Sequence, residues 1–205
     1  MISCALVFLA PLAGAPARLL HPSPWLGFVA FAIILLSQPA LPAGRMFTDA
    51  KDRGTALGIY VAQGLSPLAA ILQFGYRTEF HPTAVSLAVG VGLAAIVGGL
   101  GLRLWAIRTL GRFFTSTVMV QSGQTVVEAG PYRVLRHPSY TGALVTTLGV
   151  TITLASPLGV ALCLLLGIPA YLYRISVEEA ALTAQLGEPY RSYLTRTSRL
   201  IPWIY

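Results

Sequence analysis

The chain has 205 residues, 55% of them hydrophobic and only 10% charged, with a mean hydropathy of +0.71. A soluble domain carries about 25% charged residues, so this chain cannot clothe a globule in polar surface and reads as one integral membrane bundle. Its net charge of +7 comes from 14 basic residues, all arginine except Lys51; no stretch has the architecture of a nucleic-acid binder, which leaves basic loops facing the cytoplasm and anionic lipid.

Residues 1–20 are apolar and interrupted by Pro11 and Pro16. No basic region precedes them, so a first, irregular transmembrane helix is expected over 2–20 rather than a cleaved leader. A second span is expected over 25–42, with Trp25 at an interface and Pro39 and Pro42 at its end. The polar loop 45–53 follows. Residues 55–76 form a third span, whose central Gln63, Ser66 and Pro67 suit a helix packed against neighbours. After the short turn 77–82, a long apolar helix is expected over 83–106. Its glycines at 90, 92, 98, 99 and 101 let helices approach closely in lipid. Residues 115–129 read as loop or extended chain. Two apolar runs, 140–155 and 157–175, are separated only by Ser156, and Pro157 opens the second. That is a tight helical hairpin. An amphipathic continuation ends at Gly187, and the tail is basic and aromatic.

These boundaries give an all-α, polytopic bundle of five to six transmembrane helices. The N-terminal spans occupy 1–82 and a C-terminal core occupies 83–205. Arginines concentrate in 45–53, 103–136 and 191–199, all on one side, so that side and the C-terminus are expected to be cytoplasmic. The Arg/Ala/Gly-rich composition suggests a bacterial inner membrane.

The densest polar cluster is 130–142, Gly-Pro-Tyr-Arg-Val-Leu-Arg-His-Pro-Ser-Tyr-Thr-Gly. The hairpin brings it to Arg174, Glu178 and Glu179, and Arg174 and Glu178 are four apart on one helical face. Ionisable groups at this depth are functional candidates, although an interfacial ion-pair cluster that only anchors helix ends is the plainer alternative. Other chemistries fail here. Ser139 and His137 lack a buried acid to orient the imidazole. His21, His81 and His137 are scattered over different loops, so no metal is expected. Gly-Gly-Leu-Gly at 98–101 lacks the context of a nucleotide fingerprint. Cys4 and Cys163 show no pairing or ligand spacing.

The set Gly-Pro-Tyr-Arg-x-x-Arg-His-Pro-Ser-Tyr-x-Gly, Arg-x-x-x-Glu-Glu-x-x-Leu and Gly-Glu-x-Tyr-x-x-Tyr resembles the isoprenylcysteine carboxyl methyltransferase family. The resemblance runs over about 98–202. Related phospholipid N-methyltransferases share the histidine–proline and Glu-Glu elements. The resemblance implies a membrane methyltransferase that uses S-adenosylmethionine in a cytosol-facing pocket between the last hairpin and the loop before it. Carried over by position, the cofactor contacts are Tyr132, His137, Pro138, Ser139, Tyr140 and Glu178. Gln124, Thr125, Val126 and Val127 line the pocket, and Gln121 is a further contact. Arg174 holds a lipidic or prenylated acceptor that enters sideways from the bilayer. Glu179 is the base available to an amine acceptor. The sequence leaves carboxyl O-methylation and amine N-methylation both open, and the family leans to the former. Two other classes stay in view: an NADPH-dependent sterol-type reductase, with Arg133 or Arg136 for a 2′-phosphate, and a non-catalytic relative. Arg133 and Arg136 otherwise have no assigned role.

Overall fold

The computed structural model describes residues 20–37, 54–76, 82–115 and 121–204, with isolated positions at Leu12, Ala17 and Val118. Most of the expected span 2–20, the loop 45–53 and the turn 77–81 lie outside the described residues.

The first described helix, α1, is Pro22–Leu36. It starts three residues before the expected 25 because His21 caps it, its Nδ1 accepting from the Ser23 amide at 3.3 Å. Pro22 suits the first turn, where an amide has no helical acceptor. Helix α2, Thr55–Tyr76, buries Gln63, Ser66 and Pro67, as a helix packed among others should. Helix α3 runs Pro82–Leu110, longer than the expected 83–106.

The hairpin forms at the expected break. Helix α4, Pro138–Thr153, ends before Ser156, whose hydroxyl accepts from the Gly159 amide and caps α5, Pro157–Leu162. A wide π turn, Cys163–Gly167, then leads into α6, Ile168–Leu186. Pro169 explains the turn: it gives no amide to the carbonyl four residues back, and its ring would crowd that carbonyl. Gly187 ends α6 at φ +66°, which only glycine adopts easily, and α7, Glu188–Arg196, turns away.

Among the described residues, three helices are long and apolar enough to cross a membrane: Thr55–Tyr76, Ser86–Phe113 and Pro157–Leu186. With α1 and α4 packed among them, the molecule is an all-α, multi-spanning membrane bundle. Helix α4 is less apolar because Thr146, Thr147 and Thr153 are buried in it. Their hydroxyls donate to the carbonyls four residues back at 2.7–3.0 Å, so these three buried hydroxyls are paired within the helix.

Helices α3 and α4 interlock through glycine. Gly92 and Gly99 face Gly149 and Gly142 in antiparallel register. A Cβ on Gly99 would lie 2.5 Å from Thr146 Oγ1 and 2.7 Å from the Gly142 carbonyl oxygen. The other face is open, and a Cβ on Gly98 would meet nothing within 4 Å. Gly99→Val is therefore expected to destabilise the bundle by about 1–3 kcal/mol through overpacking. Gly98→Ala should leave stability unchanged or raise it by about 0.5–1 kcal/mol. Thermal unfolding of the two variants in detergent separates these outcomes.

Candidate active site

The chain around His137 is shaped first by its backbone. Pro131 and Gly130 begin a 3-10 turn, Gly130–Arg133, with Gly130 at φ +54°. A Cβ there would stand 2.9 Å from Thr109 Oγ1 and 3.1 Å from Trp105 Nε1, so the turn seats against the end of α3 only with glycine. His137 then precedes Pro138, the first residue of α4. This brings Tyr132, His137, Ser139 and Tyr140 to the mouth of the hairpin, opposite Glu178 on α6.

An outer chamber opens there, with about 810 Å³ of empty space counting its mouth. Gln124, Thr125, Val126, Val127, Tyr132, His137, Ser139, Tyr140 and Glu178 all line it. Leu110, Phe113, Leu182 and Leu186 add an apolar wall. Glu178 is the one carboxylate among the described lining residues, and it accepts from the Tyr140 hydroxyl at 2.6 Å. The His137 and Tyr140 rings stack with centroids 5.4 Å apart. Burial and the Glu178 carboxylate push the Tyr132 phenol above its ordinary range, which keeps it a neutral donor. Two expected contacts fall elsewhere. Pro138 is buried behind the chamber as the first residue of α4. Gln121 does not line it; its side-chain amide donates to the Arg112 carbonyl at 2.6 Å.

An inner chamber, with about 410 Å³ of empty space counting its mouth, adjoins it, sharing Phe114, Thr115 and Tyr140. Arg103, Arg174, Tyr60 and Tyr171 also line this space, and among the described residues no acid does. Arg174 is 3% exposed and donates from Nη1 to Thr55 Oγ1 at 2.8 Å and from Nε to the Tyr140 hydroxyl at 3.2 Å. Tyr140 thus links the Glu178 carboxylate to the Arg174 guanidinium. Arg103 is 2% exposed, deep in the span Ser86–Phe113. It donates from Nε to Ser37 Oγ at 2.9 Å and from Nη1 to the Ser139 carbonyl at 3.1 Å. Its Nη2 is buried with no hydrogen-bond partner among the described residues.

Glu179 stands one residue from Glu178 yet lines neither chamber. Successive helical residues point about 100° apart. Its carboxylate accepts from Arg136 Nε at 2.8 Å and Arg199 Nε at 3.0 Å, and sits 3.4 Å from His137 Nε2. The base expected for an amine acceptor is therefore tied up away from the chambers. Arg136, without a role in the sequence reading, is the hub of this cluster and also donates to the Leu194 and Thr197 carbonyls. Sequence reasoning also missed Arg103, Tyr60 and Thr55. For Arg103 a signal existed, an ionisable residue inside an apolar run. The other two come from the half of the chain without a recognisable motif.

Fold and site together define a polytopic membrane protein with a bipartite site, an outer polar chamber joined to a buried cationic one. The sequence model of the isoprenylcysteine carboxyl methyltransferase family matches residues 90–184. The chain is 31% identical over 144 residues to protein-S-isoprenylcysteine O-methyltransferase B of Arabidopsis thaliana, covering 68% of this chain and 73% of that protein. This chain belongs to the isoprenylcysteine carboxyl methyltransferase family. It is 30% identical over 116 residues to a probable protein-S-isoprenylcysteine O-methyltransferase of Oryza sativa subsp. indica, and spans about three fifths of that protein, 61%. A solved structure of a eukaryotic intramembrane Ras methyltransferase of this family aligns over 98% of this chain and 71% of that one. The TM-score is 0.58 at 22% identity, a likeness of fold.

Proposed function

We propose that the chain is an integral membrane methyltransferase that transfers a methyl group from S-adenosylmethionine to the carboxylate of a lipidic acceptor, most like a prenylated cysteine. One observation carries this reading. Among the described residues, an outer chamber whose only lining carboxylate is Glu178 meets, at Tyr140, an inner chamber lined by two arginines and no acid. The outer donor set fits the cofactor: Glu178 suits its cationic end, Tyr132 and Ser139 offer polar contacts, and Leu182 and Phe113 suit an apolar ring face. The cofactor, when bound, supplies an activated methyl on a sulfonium.

The residues of the chain then bind and align. Glu178 and the His137–Tyr140 turn hold the cofactor, with Gln124 to Val127 closing its side. Arg174 and Arg103 hold the acceptor carboxylate from within the membrane. A carboxylate acceptor needs no base, so alignment of the reacting atoms is the main lever. This favours O- over N-methylation, because Glu179 is engaged with Arg136 and Arg199. It also disfavours a nicotinamide enzyme: Arg133 lines neither chamber, and Arg136, although it reaches the outer chamber's wall, is bound to Glu179 and two carbonyls.

In this reading α1 and α4 cross beside the three long helices, within a bundle of five or six crossings. The site and C-terminus face the cytosol, supported by the arginines at 103–136 and 191–199. Residues 83–205 form the catalytic core, and 1–82 lend Tyr60 to the inner chamber and Thr55 as a partner of Arg174. Calorimetry of the detergent-solubilised chain with S-adenosylmethionine, S-adenosylhomocysteine and NADPH tests the assignment. Binding of the first two is expected; heat with NADPH alone sinks the reading.

A further inference from the structure

We propose that residues 197–200 form a positioning strap for the cofactor chamber, with Arg199 acting through Glu179 on His137. The inference rests on the functional reading above and goes beyond it by giving the C-terminal tail a part in cofactor binding.

The backbone comes first. The tail runs parallel to 134–137 as a short ladder. The Ser198 amide donates to the Val134 carbonyl at 2.9 Å, the Arg136 amide to the Ser198 carbonyl at 2.7 Å, and the His137 amide to the Arg199 carbonyl at 3.1 Å. His137 precedes α4 with φ −124°, so its amide has no helical acceptor, and the strap supplies one. Thr141 Oγ1 donates to the Leu200 carbonyl at 2.8 Å, one turn further along α4. At the other end, the Tyr193 hydroxyl donates to the Tyr132 carbonyl at 2.8 Å. The strap is thus tied to the same segment that carries the chamber residues Tyr132, His137 and Tyr140.

The side chains add direction. Arg199 places both Nε and Nη2 3.0 Å from Glu179 Oε2. Arg136 Nε and His137 Nε2 take the other oxygen, Oε1, at 2.8 and 3.4 Å. A buried carboxylate is tolerated only when it is paired and hydrogen-bonded. With its outer oxygen held by Arg199, the inner oxygen of Glu179 stays beside the imidazole. His137 then has one nitrogen fixed outside the chamber and the other, Nδ1, 4.0 Å from Glu178 Oε2 within it. Its ring lies within 2° of parallel to Tyr140, which donates to Glu178. A tail that only anchored the chain would have no reason to reach the carboxylate that lies 3.4 Å from His137 Nε2. Arg199 and Glu179 touch no chamber space themselves, so they are positioning residues.

The test uses the full-length chain in detergent, with S-adenosylhomocysteine affinity by calorimetry and separate KM values for cofactor and acceptor. Arg199→Ala and Glu179→Gln are each expected to weaken cofactor binding by about tenfold, the size of one charge-assisted hydrogen bond. KM for the cofactor should rise and KM for the acceptor should not. Arg199→Lys keeps the charge without the fork and should recover part of the loss. The double variant should be no weaker than the poorer single one, because both break one link. Arg196→Ala, which removes an exposed pair with Glu128, is the control and should leave affinity unchanged. If Arg199→Ala does not fold, Arg199→Lys and Glu179→Gln carry the test. Wild-type cofactor affinity in these variants, with only a lower melting temperature, overturns the strap. A wild-type chain that fails to bind S-adenosylhomocysteine overturns the functional reading, and the strap with it.

Discussion

Glu178→Ala is expected to weaken S-adenosylmethionine binding by roughly one to two orders of magnitude while leaving the bundle folded. The side chain is 29% exposed, facing the outer chamber, so its removal opens space without stripping a core. What it removes is the only carboxylate among the described lining residues, and with it the acceptor of the 2.6 Å bond from Tyr140. A hydrogen bond to a charged group contributes about 1.5–3 kcal/mol, roughly one to two orders of magnitude in affinity. Glu178→Gln should fall between the wild type and alanine, because it keeps a partner for Tyr140 and loses the charge. Calorimetry with S-adenosylhomocysteine measures both variants. Affinity within twofold of wild type in Glu178→Ala, on a scale where one hydrogen bond is worth about tenfold, would remove Glu178 from the cofactor site.

Much of the architecture was legible because it is written in local punctuation. Ser156 before Pro157 is a cap followed by the residue best suited to a first helical turn, and the hairpin breaks there. Arg174 and Glu178, four apart, had to share a face. The polar residues from Gln124 to Tyr140 had no lipid-compatible use, and nine of the residues expected at a pocket line one chamber. What escaped the sequence depends on partners that only folding supplies. Arg136 meets Glu179 and the carbonyls of Leu194 and Thr197, each more than forty positions downstream. Glu178 and Glu179 look alike in sequence, yet a single helical step divides them between a chamber and a latch. Of five glycines in 90–101, only Gly92 and Gly99 meet α4, because only their seven-residue spacing repeats in Gly142 and Gly149. The pattern was present in both helices, but nothing local says which helices pair.

The inner chamber carries the other large effect. Two buried guanidiniums face one space that, among the described residues, no acid lines, and one of them, Arg103, keeps Nη2 unpaired among those residues. Buried like charges repel in a low dielectric, so an anion entering this space is neutralised on arrival. In the proposed reaction an acceptor carboxylate would be held here, and its methylation would remove the charge that held it, which favours release of the ester. Arg103→Met and Arg174→Met retain most of the side-chain bulk and remove the donors. Each is expected to lower kcat by roughly 10²–10³, the usual loss when one preorganised donor is removed from an active site. Cofactor affinity should change by no more than about threefold, well under one hydrogen bond's worth. Each variant should also narrow the preference for a free-acid competitor over its methyl ester, because the charge that discriminates them is halved. Steady-state rates with a prenylated cysteine, together with inhibition by acid and ester, measure both effects. Loss of cofactor affinity in step with turnover would place these arginines in the outer chamber's machinery instead, and an unchanged kcat would leave the acceptor to be held elsewhere.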